Sequence, residues 1–432
     1  MDPIVRNLVS EGGQSFGWVI NCSGTWFDHP LAHASKALKS LGFKHAEVEC
    51  LLGTSVIRPW KIVNRPFAGE YDDQNREWNR KAARFAYEPA DTENPVYPTW
   101  QKILDHCGKS LNEAVQKDEW CKRYGIVSGA NYLMYWIASL FQEPREHLPY
   151  LFFYGPQNSG KSMFHEALSL LISDNGVIKA DNALTNSSNF NGELQFAVLC
   201  TIEETYLKDR QRAYEKIKDW VTSRKIQIHP KGYTPYDVHN TTHWIQCANQ
   251  ADACPIFSGD TRITVIYVNE LDSSAIIPKK EMEELLKKEA RDFLKAARSV
   301  ELPPSGDRLN IPILKTPEKE VAQQRNRDPI QIFIEDNCFY CPGNVELYSE
   351  VYDRFRNSLE EGRDRMDWTQ IRFGKHLPPE FPKGKMHGGI QLMVGNISFT
   401  KKEPKGSKLV LWNGYLENEN LLGKGNGNGY TP

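Results

Sequence analysis

Apolar residues change their spacing along the chain, and each change marks a segment. From Leu31 to Leu41 and from Ala46 to Leu52 they recur at helical intervals; from Arg58 to Pro98 the pattern is broken by Pro59, Pro66, Pro89, Pro95 and Pro98. Proline removes a backbone donor and clashes with the preceding turn, so no long helix crosses this passage. Residues 1–130 therefore read as a mostly helical, aromatic-rich region. In residues 131–302 short apolar runs (Leu151 to Tyr154, Phe196 to Ile202, Trp244 to Ala248, Ile263 to Val268) alternate with helical stretches such as Met163 to Ile172. That alternation predicts an α/β domain with a partly parallel sheet. Residues 303–320, with Pro303, Pro304, Pro312 and Pro317, read as a linker. Residues 321–415 predict helices at Asp328 to Cys338 and Leu347 to Leu359, then strand-like runs at Gln391 to Val394 and Lys408 to Leu411, a winged-helix-like order. Residues 416–432 end in a glycine-rich, polar tail expected to be flexible.

Composition narrows the class. The chain has 432 residues, 40% hydrophobic and 25% charged, a globular balance with no internal repeat. Lys and Arg number 53 against 55 Asp and Glu, a formal charge of -2. A polyanion would have to be held by local basic surface, because the global field does not attract it. Apolar runs such as Tyr132 to Phe141 fall short of the roughly 20 residues that span a bilayer. Nine cysteines, an odd number without paired spacing, fit reduced thiols and a cytoplasmic protein with no membrane role. Cys338 and Cys341, and Cys22 with His29 and His33, read as thiols and surface histidines and not as metal ligands, since no further ligand pair stands at zinc spacing.

The chemistry concentrates between residues 150 and 270. Gly155, Pro156, Gln157, Asn158, Ser159, Gly160, Lys161 and Ser162 match G-x-x-x-x-G-K-[ST] between an apolar strand and the helix opening at Met163. Glycines let backbone N–H groups wrap phosphates, Lys161 reaches the β and γ phosphates, and the Ser162 hydroxyl suits Mg²⁺. The strand Phe196 to Ile202 ends in Glu203 and Glu204. One carboxylate can hold Mg²⁺ through water and the other can polarise an attacking water; Glu203 is assigned to the metal and Glu204 to the base, with the reverse equally open to sequence. From Lys208 to Gly232 there are eight Lys or Arg against three Asp or Glu, leading into a hairpin with Lys231 and Tyr233 at its tip and His229 beside it. A cation and flat rings there suit phosphate and bases. Asn249 ends the strand Trp244 to Ala248, where ligands of α/β sheets sit, and Arg262 precedes Ile263 to Val268. A second basic stretch, Arg372 to Lys408, holds eight Lys or Arg against two Glu.

This order of motifs resembles the superfamily 3 helicases of viruses, phages and plasmids. The stretch from His239 to Val268, with NTTHWIQCANQADACPIF and GDTRI, is similar to the poxvirus-type and phage-type primase-helicases. The resemblance implies an AAA+-like P-loop ATPase core that forms a ring, usually a hexamer, on single-stranded or forked DNA in a bacterial or phage-infected cytoplasm, with ATP and Mg²⁺ as cofactors. It implies Gly155 to Ser162 as Walker A, Glu203 and Glu204 as Walker B, Asn249 as the sensor, Arg262 as an arginine finger given to the neighbouring subunit, and Lys231 and Tyr233 in a pore hairpin. No D-x-D occurs in the 432 residues, so priming is not expected from them; a separate primase or polymerase, or an upstream segment, would have to provide it. The competing expectation is a P-loop ATPase that binds DNA as a replication assembly or loader module without unwinding it.

Overall fold

The computed structural model describes residues 4–10, 13, 15–185, 190–203, 210–232, 234–272, 276–304, 308–359, 365 and 368–422. It divides into two compact units, Met1–Arg325 and Asn326–Pro432.

The first unit opens with a sheet and not with the mostly helical region that the sequence suggests. Strands β1 (Val5–Ser10), β2 (Ser15–Cys22) and β3 (Thr25–His29) precede helices α1 (Leu31–Ser40) and α2 (His45–Ile57); β4 (Trp60–Ile62), β5 (Tyr71–Asp72) and β6 (Glu77–Trp78) complete the order β3-β2-β1-β4-β6-β5. The strands form because neighbouring apolar residues are needed on both faces. Val5, Trp18 and Ile20 pack with Ala34, Leu38 and Val48 of the helices, whereas Leu8, Val19, Trp60 and Trp78 pack on the other side. Arg6 sits on that second side, 4.0 Å from the Trp60 ring and 4.3 Å from Trp26. Trp60 and Trp78 are thus core.

Helices α3 (Pro98–Gly108), α4 (Asn112–Lys117), α5 (Glu119–Arg123) and α6 (Gly129–Gln142) lead to the central sheet. There β7 (Tyr150–Tyr154), α7 (Met163–Ser169), β8 (Val177–Lys179), α8 (Asp181–Thr185), β9 (Leu199–Glu203), α9 (Arg210–Thr222), the pair β10 (Lys225–Ile228) and β11 (Tyr236–His239), β12 (His243–Ala248) and β13 (Ile263–Tyr267) follow in turn. Five strands lie in the order β13-β7-β12-β9-β8, every neighbouring pair parallel. The continuous apolar run of β7 is what burial on both faces requires. Leu151 and Phe153 join one core with Trp100, Trp136 and Phe164, while Tyr150 and Phe152 join another with Ile217, Trp220 and Trp244. Helix α10 (Lys279–Ser299) packs on the first of these through Leu286, Phe293 and Leu294.

Residues 303–320 do not form a free linker. Leu309, Ile311 and Leu314 are buried, the Tyr132 hydroxyl donates to Pro312 O at 2.8 Å, and Thr316 Oγ1 donates to Val265 O at 3.1 Å. This segment covers the edge of the sheet at β13, where proline costs no ladder bond, and α11 (Pro317–Arg325) closes the unit. In the second unit, α12 (Pro329–Asn337), β14 (Phe339–Leu347), α13 (Tyr348–Ser358), α14 (Gln370–His376), β15 (Lys383–Lys385), β16 (Leu392–Ser398), β17 (Leu409–Trp412) and β18 (Tyr415–Asn418) build a sheet in the order β14-β16-β15-β18-β17. Phe333, Val351, Phe355, Phe373, Val394 and Ile397 fill its core. No described helix is long and apolar enough to cross a membrane.

His243, at the start of β12, supplies a test of this packing. Its ring nitrogens face Val198 O at 3.2 Å and Glu146 O at 3.1 Å, and burial pulls its pKa down to about 4. The unfolded chain takes up the proton near pH 6.5 and the folded one only near 4. Stability from this group is therefore complete above the higher value and falls, by about 3 kcal/mol in all, as pH drops toward 4. The His243→Gln variant should lose that slope in urea-unfolding midpoints measured between pH 7 and 4. An unchanged slope would contradict the assignment.

Candidate functional site

The loop after β7 is shaped by two backbone demands. A Cβ on Gly155 would stand 2.2 Å from Val268 O, so only glycine lets the strand end lie against the chain leaving β13. Gly160 has φ +80 and Asn158 φ 62, left-handed positions within the loop. Such reversals turn successive N–H groups toward one side, a concavity suited to an anion. Two contacts brace it: His106 Nε2 of α3 lies 2.7 Å from Ser159 O, and Cys247 Sγ of β12 donates to Lys161 O at 3.6 Å. Pro156, Gln157 and Asn158 face outward to differing degrees, Ser159 is buried, and half-buried Ser162 and Met163 begin the helix.

Lys161 is only 7% exposed. Its Nζ donates to Pro156 O at 3.1 Å and to Asn249 Oδ1 at 2.8 Å, two oxygens without formal charge. A buried ammonium held by neutral partners is costly, and an anion in the loop would complete it. Asn249 reaches it because β12 lies beside β7 in parallel register, Ala248 opposite Tyr154. Both residues thus stand at the carboxyl end of the sheet, where α/β folds bind ligands.

Glu203 ends β9, one strand further over, opposite Cys247. Its Oε1 lies 3.1 Å from His165 Nε2 and its Oε2 3.9 Å from Lys179 Nζ, while its N–H donates to Asp181 Oδ1 at 2.9 Å. His165 is buried, which lowers its pKa, and the Glu203 charge opposes that shift. Glu166 pairs with Lys279 at 2.8 Å. His165, Glu166, Lys179, Glu203, Lys279 and Glu283 surround a cavity of about 420 Å³. Glu204 lies outside the described residues.

Arg262 is not brought to Lys161 within the chain. Ile263 stands opposite Tyr150, and Arg262 O accepts from Tyr150 N at 2.9 Å. It therefore sits at the opposite end of the strand from Gly155, at least roughly 17 Å away for five residues of strand. Its loop is clamped by the buried Asp260 carboxylate, which accepts from Arg262 N (3.2 Å), Ile263 N (3.0 Å), the Tyr214 hydroxyl (2.9 Å) and Lys319 Nζ (2.8 Å). Burial and then the Asp260 charge push the Tyr214 pKa up. Sequence reasoning missed these three residues. Tyr214 and Lys319 lie 46 and 59 positions from Asp260, and no local pattern joins them.

The hairpin forms in the register Ile228 opposite Tyr236. Lys231 is exposed in its turn, and Tyr233 lies outside the described residues. His229, grouped by the sequence with the nucleic-acid contacts, is half-buried instead. Its ring lies 4.8 Å from Phe190, and its N–H donates to Asn191 Oδ1 at 2.7 Å, so it ties the hairpin to the neighbouring segment. Asn240 N donates to Arg224 O just before β12, which roots the hairpin at the end of the sheet away from Asn249.

Fold and site together define a mixed α/β protein with a parallel sheet and a glycine-containing strand-to-helix loop at the carboxyl end of that sheet. A family of unknown function, DUF5906, matches residues 153–262, the stretch that holds this loop, Glu203, Asn249 and Arg262. No curated protein matches. Among solved structures, the apo C-terminal region of NrS-1 (305–718) is similar at 13% identity with a TM-score of 0.52, covering 91% of this chain and 96% of that one. An A-form apo structure of the same region is 14% identical with a TM-score of 0.51, covering 91% and 97%. At such identity the likeness establishes the fold.

Proposed function

We propose that this chain is an ATP-driven DNA translocase or helicase of the superfamily 3 type, assembled as a ring with ATP hydrolysed between subunits. The observation that carries this reading is Lys161, buried between Pro156 O and Asn249 Oδ1 with Glu203 on the next strand. A triphosphate would add anionic partners to an ammonium whose hydrogen bonds, among the described residues, go to neutral oxygens. The loop amides of Gly155 to Ser162 hold the phosphates, Asn249 moves its oxygen from Lys161 toward the attacking water, and Glu204 accepts that water's proton. Mg²⁺ usually takes one or two carboxylates together with substrate phosphates, so Ser162 and Glu203 fit as its protein partners; once bound, it would neutralise charge on the phosphates. Arg262 lies at the other end of the sheet from its own loop, which supports a role toward a neighbouring copy. The exposed Lys231 then contacts the strand passing through the ring. In the second unit, a hairpin of β15 and β16 beside α14 supports the winged-helix reading, with its basic stretch for DNA.

The test is ATP hydrolysis by the purified protein with and without single-stranded DNA. The rate should rise severalfold with DNA, and a forked duplex should be separated. Hydrolysis that ignores DNA would favour the assembly or loader module, and no hydrolysis at all would end both readings.

A further inference from the structure

The second unit extends its sheet by one more hairpin, and the register of that hairpin makes a surface. Strands β17 and β18 meet at Asn413 and Gly414, both at positive φ (46 and 85), a two-residue turn. Tyr415 of β18 lies opposite Trp412 on one side and Lys385 of β15 on the other, and Lys385 lies opposite Leu392 of β16. Directly paired residues project from the same face of a sheet. Leu392, Lys385, Tyr415 and Trp412 therefore form a row across four strands, roughly 15 Å wide at the usual strand spacing. The row faces solvent: Trp412 is 56% exposed, Leu392 42% and Tyr415 38%. The His387 ring lies flat on Tyr415 at 4.7 Å and 8°, and His387 Nε2 is held by Glu417. Rings aligned and exposed in this way call for a cover, since contiguous apolar surface of this kind marks a binding site.

The charge balance of the stretch that carries Lys385 and Leu392 indicates what the cover is. Between Arg372 and Lys408 stand eight Lys or Arg and two Glu. Nearby acids beyond that stretch are engaged: Glu417 with His387, and Glu419 3.8 Å from Lys408. The cover is thus a polyanion with flat apolar faces. Paired bases hide those faces inside the duplex, whereas unpaired bases offer them to aromatic side chains. We propose that the Tyr415 and Trp412 row is a stacking site for unpaired bases of single-stranded nucleic acid, with Lys385 on the adjoining phosphate; this rests on the nucleic-acid reading above.

The full-length protein and fluorescein-labelled oligo-dT, followed by anisotropy, test it. Trp412→Ala and Tyr415→Ala should each weaken single-strand binding by about tenfold, the usual order for one lost stacking ring, while Trp412→Phe retains most of the affinity. Binding to blunt duplex should change little, and ATP hydrolysis without DNA should stay at the wild-type rate. Unchanged oligo-dT affinity in both alanine variants, with DNA-stimulated hydrolysis intact, overturns the stacking site and leaves the translocase reading standing. Equal losses on duplex and single strand would also overturn it. A wild-type protein that binds no oligonucleotide would instead sink the nucleic-acid reading itself, and the row with it.

Discussion

Replacing Arg262 with alanine is expected to lower the turnover of ATP by about 10³-fold or more while leaving ATP affinity near the wild-type value. The size follows from arginine fingers in other phosphoryl-transfer enzymes, which contribute roughly 10³ to 10⁵ by neutralising transition-state charge. The split between turnover and affinity follows from position. Arg262 precedes β13, at the far end of the sheet from Gly155, so it cannot touch a nucleotide held by its own loop. The backbone at this position is nonetheless fixed, through Asp260 to Lys319 and Tyr214, as suits a side chain that must be presented outward with little reorganisation. A mixing experiment makes the sharing visible. On the ring reading, Lys161→Ala would lack the phosphate lysine and Arg262→Ala the finger, yet a mixed ring would contain junctions with both intact. Activity should reappear on mixing two inactive proteins. A fully active Arg262→Ala protein, or a monomer hydrolysing ATP at the full rate, would defeat the interface assignment.

What could be read in the sequence divides according to distance along the chain. Residues 155–162 are contiguous and match a fixed glycine spacing between an apolar strand and a helix, so a strand–loop–helix turn there was legible before any fold was known. The strands flanking it were legible too, because parallel strands buried on both faces appear as unbroken apolar runs such as Tyr150–Tyr154. The clamp on Arg262 was not. Its carboxylate, hydroxyl and ammonium come from three separate segments, and each taken alone is an ordinary polar residue. The pairing of His165 with Glu203 was hidden for the same reason, although His165 falls one helical turn after Lys161, which was the signal available. At the N-terminus a different effect prevailed. Val5–Ser10 and Ser15–Cys22 form strands because Trp18 and Val19 must be buried on opposite faces, a demand that helical spacing in Leu31–Ser40 concealed. The prolines around residue 312 suggested a tether, yet the apolar Leu309, Ile311 and Leu314 between them required burial and drew the segment onto β13.

Lys161→Met should separate ligand chemistry from folding. In the free protein the buried ammonium has two neutral oxygens as its hydrogen-bond partners among the described residues, an arrangement that pays desolvation. A methionine of similar length removes that burden, so the melting temperature of the nucleotide-free variant should equal or exceed that of the wild type. The response to ATP should be the reverse. Saturating nucleotide stabilises a protein by about 2.7 kcal/mol at a hundred times its Kd, and the wild type should melt several degrees higher with ATP and Mg²⁺. The variant should gain nothing under the same conditions and should hydrolyse no ATP above background. Alanine at this position would leave a void and confuse loss of packing with loss of charge, which is why methionine is the sharper probe. If Lys161→Met melted far below the wild type, the lysine would be structural. If it kept both the ATP-induced shift and the hydrolysis, the loop from Gly155 to Ser162 would not be where the triphosphate binds.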